Sequence, residues 1–186
     1  MTRDLLVIGL GNPGDRYSNT RHNVGADTLA LLVQRCGERL RADRSTSAML
    51  AELRLGPVRA GAAFPTPWMN ESGRSVAALV RRYELDDWSK LVVLHDELDL
   101  EPGRVKVKLG GGLAGHNGLR SITQYLGTQD YARVRIGVGR PPGGSERGAD
   151  WVLSKIPKSA RVDLDIACER AADAVECIAS SGVDAA

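Results

Sequence analysis

Apolar residues along this chain fall into short runs and two kinds of periodicity, and their order predicts a fold. Leu5 to Ile8 is a continuous apolar run of strand length that stops at a glycine-rich turn. Leu29, Leu32, Val33, Cys36 and Leu40 then recur at helical spacing and predict a first helix of about four turns. Met49 to Leu55 and Val58 to Phe64, on either side of Gly56-Pro57, read as two strands joined by a turn. Pro65 and Pro67 break the chain before a second helix in MNESGRSVAALVRRY, whose inner face is Val76, Leu79, Val80 and Tyr83. In KLVVLHDELDL the run Leu91 to Leu94 is apolar on both faces, as an interior strand covered on two sides requires, and it ends at His95-Asp96. RVKVKL alternates strictly, with Lys106 and Lys108 on one face and Val105 and Val107 on the other, and RVRIGVG repeats the pattern with Arg133 and Arg135. Between these two strands a glycine loop leads into a third helix from about Asn117 to Leu126. The last third reads as helix, with Val162, Ile166, Ala171, Val175 and Ile178 as an apolar stripe behind a Ser159 cap. No internal repeat interrupts this order. The expected fold class is α/β, a single domain over residues 1–186 built on a mixed β-sheet with helices on both faces.

Composition supports one core rather than two, since 186 residues at 42% hydrophobic suffice for one sizeable domain. Cys36, Cys168 and Cys177 have no C-x-x-C spacing, which argues against a disulfide framework and a thiolate zinc site. The six residues from Leu5 to Leu10 are too few for a signal-peptide core, and no other segment has the length of a membrane span. A cytoplasmic monomer with no membrane association and no obligate protein partner is therefore expected. Net charge is +2, but Arg104 to Arg147 holds eight basic residues against Asp130 and Glu146. A polyanion would find one attractive face on a nearly neutral protein, although a solvated basic surface gives the same count.

The opening loop, GLGNPGDRYSNTRHNVG, contains G-x-G-x-x-G behind a strand, the start of a dinucleotide fingerprint. Two further conditions fail. The chain does not enter a helix at Gly14, where Pro13 and DRYSNTRHN are turn chemistry, and the stretch about twenty residues after the strand, LALLVQR, has no acid for a ribose. The loop instead places Asn12, Tyr17, Arg21, His22 and Asn23 at a strand's carboxyl end, where open α/β sheets bind ligands. The three histidines all have polar neighbours: His22-Asn23, His95-Asp96-Glu97 and His116-Asn117. They could ligate a metal, yet H-E-x-x-H and its relatives are absent, so neither metal nor cofactor is expected. Ser72 lacks a G-x-S-x-G setting and reads as a helix cap. What remains is histidine with carboxylate, a pair suited to polarising water.

GLGNPG followed by TRHNVG, then MNESG, LHDELDL and KLGGGLAGHNGL with RVRIGVG, resemble in order and spacing the bacterial peptidyl-tRNA hydrolases, from Leu5 to about Val152. The resemblance implies His22 as catalytic base, Asp96 as its partner, and Asn12, Asn70 and Asn117 as residues that position the substrate. It implies hydrolysis of the ester joining a peptide to the 3′ end of tRNA. Asn12 is the candidate donor to the oxyanion, and Tyr17, Met69 and His116 join the candidate substrate-binding set, Met69 being equally at home in the core. On the same footing Lys106, Lys108 and Arg135 are expected to meet tRNA phosphates, helped by backbone amides at the start of the third helix. The chain departs from the family pattern at Ala26, Phe64, Pro67 and Leu113, none of them a proposed site residue. A non-catalytic RNA-binding relative of the same fold is the competing reading.

Overall fold

The computed structural model describes residues 4–143 and 148–186. Seven strands form one sheet in the order β2-β3-β4-β1-β5-β7-β6: β1 Leu5–Gly9, β2 Arg41–Asp43, β3 Ala48–Leu55, β4 Val58–Pro65, β5 Leu91–Glu97, β6 Val105–Leu109 and β7 Ala132–Gly137. The middle four, β4, β1, β5 and β7, run parallel, while β2, β3 and β6 add antiparallel pairs at the edges. The strand order reverses at β1, whose neighbours follow it in sequence on opposite sides, so the crevice beyond the carboxyl ends of β1 and β5 is the expected ligand position.

Strand alternation divides the interior into two cores. Leu5 and Val7 of β1, Val92 and Leu94 of β5 and Val134 and Ile136 of β7 face helices α1 (Val24–Arg35) and α5 (Lys158–Ser181). Leu6, Ile8, Leu91 and Val93 face α2 (Ser72–Arg82) and α3 (Asn117–Leu126), with Tyr83 and Tyr131. The remaining helix, α4, is the short Gly148–Val152.

Several sequence expectations change. The first helix starts five residues before Leu29 and ends at Arg35, where Gly37 at φ +71° turns the chain, so Leu40 packs from beyond it. On α5 the buried stripe is Leu164, Ala167, Cys168, Ala171, Ala172, Val175 and Ile178, whereas Val162 and Ile166 are exposed. Pro157, not Ser159, stands at the cap position and makes no side-chain cap bond. Ser72 does not cap α2 either, because its hydroxyl donates back to the Met69 carbonyl at 2.7 Å. β2 and α4 have no clear periodic signal, being three and five residues long. Of the basic segment, Glu146 and Arg147 lie outside the described residues. Among the described residues no helix is long and apolar enough to cross a membrane.

Candidate active site

The glycines of the opening loop set where α1 begins. A Cβ on Gly9 would lie 2.6 Å from Leu29 Cβ, and one on Gly25 would lie 2.2 Å from the Leu94 carbonyl oxygen. Leu10 N–H donates to the Leu94 carbonyl at 3.1 Å, and Ala26 N–H to the Leu10 carbonyl at 3.0 Å. The start of α1 is thus pressed onto the end of β5. Gly14, at φ +93° with open space around it, supplies the turn. These contacts carry His22, in the 3-10 turn Arg21–Asn23, onto Asp96 of β5.

His22 Nδ1 stands 3.0 Å from Asp96 Oδ1 and 2.9 Å from Oδ2, and His116 Nε2 stands 2.7 Å from Oδ1. His116 is the N-cap of α3, and its Nδ1 accepts from the backbone N–H groups of Gly118 and Leu119 at 3.1 and 3.3 Å. A nitrogen that accepts carries no proton, so the neutral ring bears its hydrogen on Nε2 and donates it to Asp96. With Asp96 an acceptor, His22 donates Nδ1–H, which leaves the Nε2 lone pair free. Burial pushes the Asp96 carboxyl upward, but His22 and His116 outweigh it and hold the group far below the ordinary carboxylate range. Burial pushes His22 down, yet the charge and hydrogen bond of Asp96 prevail and raise it above 6.5. His95, on the opposite face of β5, donates Nδ1–H to the Asp96 carbonyl at 2.8 Å and meets the His116 ring edge-on at 5.3 Å. Burial first, then His116, lowers it to about 3, so it stays neutral.

His22, Asp96 and His116 offer ligand atoms within 4.8 Å of one another, as a metal site would. The donor set does not fit. His116 spends one nitrogen lone pair on the α3 amides, so coordination through Nε2 would require either an imidazolate or loss of the cap.

His22, His95, Asp96, His116 and Asn117 border a cavity of about 400 Å³ whose far wall includes Leu98 and Val152. Asn12 does not line that cavity but is tied to Asn23, the residue after His22. The Asn23 side chain donates to the Asn12 carbonyl and accepts from the Asn12 N–H, both at 2.9 Å, while Asn12 Oδ1 accepts from Met69 N–H at 2.8 Å. That last bond orients the amide and leaves its NH₂ as a donor. Met69 is buried in the α2–α3 core and does not border the cavity. Asn70, in the middle of the 3-10 turn Met69–Glu71 that leads into α2, and Asn117, the first residue of α3, are both exposed. Tyr17 packs edge-on against Trp68 at 5.6 Å.

The basic strands occupy the same sheet face as His95. Across the sheet, His95 pairs in register with Arg135 and Arg135 with Lys106, while Arg133 pairs with Lys108. Lys106 and Lys108 are exposed. Arg135 is engaged by buried Glu97 through Nε and Nη2 at 2.9 and 2.8 Å. Arg133 is buried, donating to the Gly112 and Gln129 carbonyls at 2.5 and 2.8 Å, so its charge braces the glycine loop before His116. Sequence patterning names Arg21 and Asn23 without roles and does not foresee the bond from His116 to Asp96. The adjacency of His22 to Asn23 and of His116 to the start of a helix is the available signal.

A family model described as peptidyl-tRNA hydrolase matches residues 6–186. The chain is 45% identical over 186 residues to the peptidyl-tRNA hydrolase of Mycobacterium avium, covering 100% of this chain and 96% of that one. To that of Cutibacterium acnes it is 46% identical over 198 residues, covering 100% and 97%. Among solved structures it is similar to Acinetobacter baumannii peptidyl-tRNA hydrolase at TM-score 0.88 and 34% identity, covering 99% of this chain and 93% of that one. A peptidyl-tRNA hydrolase complexed with N-propanol gives TM-score 0.91 at 33% identity with the same coverage.

Proposed function

Because this chain belongs to the peptidyl-tRNA hydrolase family, we propose that it cleaves the ester between a peptide, or an N-blocked amino acid, and the 3′ end of tRNA, with His22 as general base. The observation that carries the assignment of the base is the His22 Nδ1–Asp96 pair at 2.9 Å, which directs the free Nε2 of a histidine at the cavity. A water held by Nε2 loses its proton to the ring as its oxygen attacks the ester carbonyl carbon. Asp96 stabilises the imidazolium and keeps the ring in the productive tautomer. The Asn12 NH₂ donates to the oxyanion, an interaction of the kind that contributes about 2.7 to 4 kcal/mol. When the tetrahedral adduct collapses, the C–O bond to the ribose breaks and the imidazolium returns its proton to the departing 3′ oxygen. An ester leaves more readily than an amide, so a single activated water suffices and no covalent enzyme intermediate is needed.

Asn70 and Asn117 offer donors and acceptors to the peptide backbone, with Tyr17 and His116 shaping the approach, while Met69, buried in the core, acts only through the N–H that orients Asn12. A site paired to a peptide amide would leave polar groups unmatched against the free ammonium of aminoacyl-tRNA, at about 1–3 kcal/mol each. Lys106, Lys108 and the remaining Nη1 of Arg135 supply phosphate contacts, with backbone N–H groups at the start of α3. Such contacts are blind to base sequence, which suits an enzyme that must accept every tRNA. The test is incubation with N-acetyl-aminoacyl-tRNA and with free aminoacyl-tRNA. Release of the acylated amino acid from the first alone is expected, and tight tRNA binding with hydrolysis of neither refutes the assignment.

A further inference from the structure

Arg21, one residue before the base, is 5% exposed yet meets no carboxylate among the described residues. Its guanidinium carbon lies 3.5 Å from the Trp151 ring centroid, and Nη1 donates to Ser154 Oγ at 2.5 Å and to the Lys155 carbonyl at 3.5 Å. The strap that receives it, residues 151–156, is joined to the opening loop on both sides of that contact. Ile156 N–H donates to the Asn19 carbonyl at 2.8 Å, Thr20 and Lys155 form a β-bridge, and Arg21 N–H reaches the Ser154 carbonyl at 3.4 Å. Trp151 is itself fixed, with Nε1 donating to the Gly139 carbonyl at 2.9 Å.

We propose that Arg21 is a positioning residue: clamped on Trp151 and Ser154, it holds the Arg21–Asn23 turn so that His22 stays on Asp96 and Asn23 stays on Asn12. This rests on the reading of His22 as base. A buried cation with neutral partners gains little from long-range attraction and much from a planar fork fitted to fixed acceptors and a ring face, which lysine cannot reproduce. The turn has three residues, so immobilising the first, while Asn23 grips the Asn12 backbone on the other side, leaves His22 little backbone freedom. Displacement of a catalytic group by about 1 Å can lower rates roughly 10²-fold. Arg21 lies under the loop and has no need to touch substrate.

The test compares Arg21→Lys and Ser154→Ala with wild type and His22→Ala on N-acetyl-aminoacyl-tRNA. Arg21→Lys should lower kcat at least about tenfold with KM within about twofold, and Ser154→Ala should lower it less but in the same direction. The acid limb of the pH–rate profile should move to lower pH as His22 drifts from Asp96. The other titratable groups near that ring are His116 and His95, while Glu97 and Asp99 along the cavity are held by Arg135 and Arg140. The His22 Nδ1–H proton resonance, assigned by its loss in His22→Ala, should broaden in both variants. Lowered melting temperature with wild-type kcat, pH limb and proton resonance would show a merely structural Arg21 and overturn the proposal. Should Arg21→Lys not fold, Ser154→Ala decides by the same readouts. An inactive wild type defeats the reading of the site instead, and the His22 proton resonance then still judges the clamp.

Discussion

Around Asp96 two imidazoles grip one buried carboxylate while a third bonds its backbone carbonyl, and the tautomers of His22 and His116 are fixed by hydrogen bonds of 2.7 to 3.3 Å. Two strands away on the same sheet, Lys106 and Lys108 stand in solvent with no ion pair among the described residues. On the proposed reading the first region works by position, because proton transfer and oxyanion binding lose their effect within a fraction of an ångström. On the same reading the second works by charge at a distance, where a flexible ammonium finds a phosphate wherever the backbone of the nucleic acid runs. The two regions should therefore fail differently: damage at Asp96 should show in kcat, and damage on β6 in KM and salt dependence.

The sharpest break is His22→Ala. Without the proposed base, kcat on N-acetyl-aminoacyl-tRNA should fall by about 10² to 10⁴, with tRNA binding measured by filter retention unchanged. Loss of binding as well would move His22 into the structural frame and erase the contrast.

Asp96→Asn tests whether the charge or the mere presence of a partner matters. An amide can present its NH₂ to Nδ1, flipping the tautomer and directing N–H at the water, so kcat should drop by about 10²-fold or more. The residual activity carries a second signature. His22 is raised above 6.5 through Asp96 against the opposing effect of burial. Removing the carboxylate leaves burial alone, so the acid limb of kcat/KM should move to lower pH. An unmoved limb would mean that Asp96 does not set the basicity of His22.

On the charged side, Lys106→Ala with Lys108→Ala should raise KM several-fold and leave kcat nearly intact. For every phosphate that no longer meets a lysine, the slope of log affinity against log salt should shrink by about 0.7 to 0.9. Arg133→Ala should behave unlike either lysine, because this arginine braces the Gly112 loop from inside the protein. A kcat loss there would extend the position-dependent region across β7.

The same division explains what is legible in the chain. The alternation of Lys106 and Lys108 with Val105 and Val107 is local, and β6 and β7 form as that pattern implies. α3 spans Asn117–Leu126 because its apolar spacing is bracketed by glycines that set both ends. His22 and Asp96 stand out only through several short motifs taken together. Their contact depends on Gly9 and Gly25 letting α1 lie against Leu94, a fact of packing about 70 residues apart that no local pattern encodes. His116 illustrates the limit: its neighbours predict a helix start, but that its other nitrogen reaches back 20 positions to Asp96 is a product of the fold. On α5 the mismatch is one of rotation. Val162 and Ile166 fall on a neighbouring, exposed face, whereas Ala167 and Ala172, which carry little hydrophobic signal, join Ala171, Val175 and Ile178 in the buried stripe.

His95 gives the smallest effect and separates position from charge inside the buried region itself. Its ring is fully enclosed, Nε2 has no partner among the described residues, and His116, Asp96 and Arg133 are the groups around it. Its folded-state value is lowered to about 3 from 6.5, so between those limits the unfolded chain takes up a proton that the native protein refuses. Stability from this group is present above pH 6.5 and is lost as pH falls toward 3, by up to about 1.4 kcal/mol per pH unit. His22 has the opposite sign, since its raised value makes protonation favour the fold below 6.5 and lose that contribution as pH rises through it. His95→Asn keeps a donor for the Asp96 carbonyl and removes the titration. Denaturant midpoints measured between about pH 7 and pH 4.5 should fall more steeply for wild type than for His95→Asn, whatever the activity does. Parallel curves would show that His95 accepts its proton in place, and that the enclosure behind Asp96 tolerates charge after all.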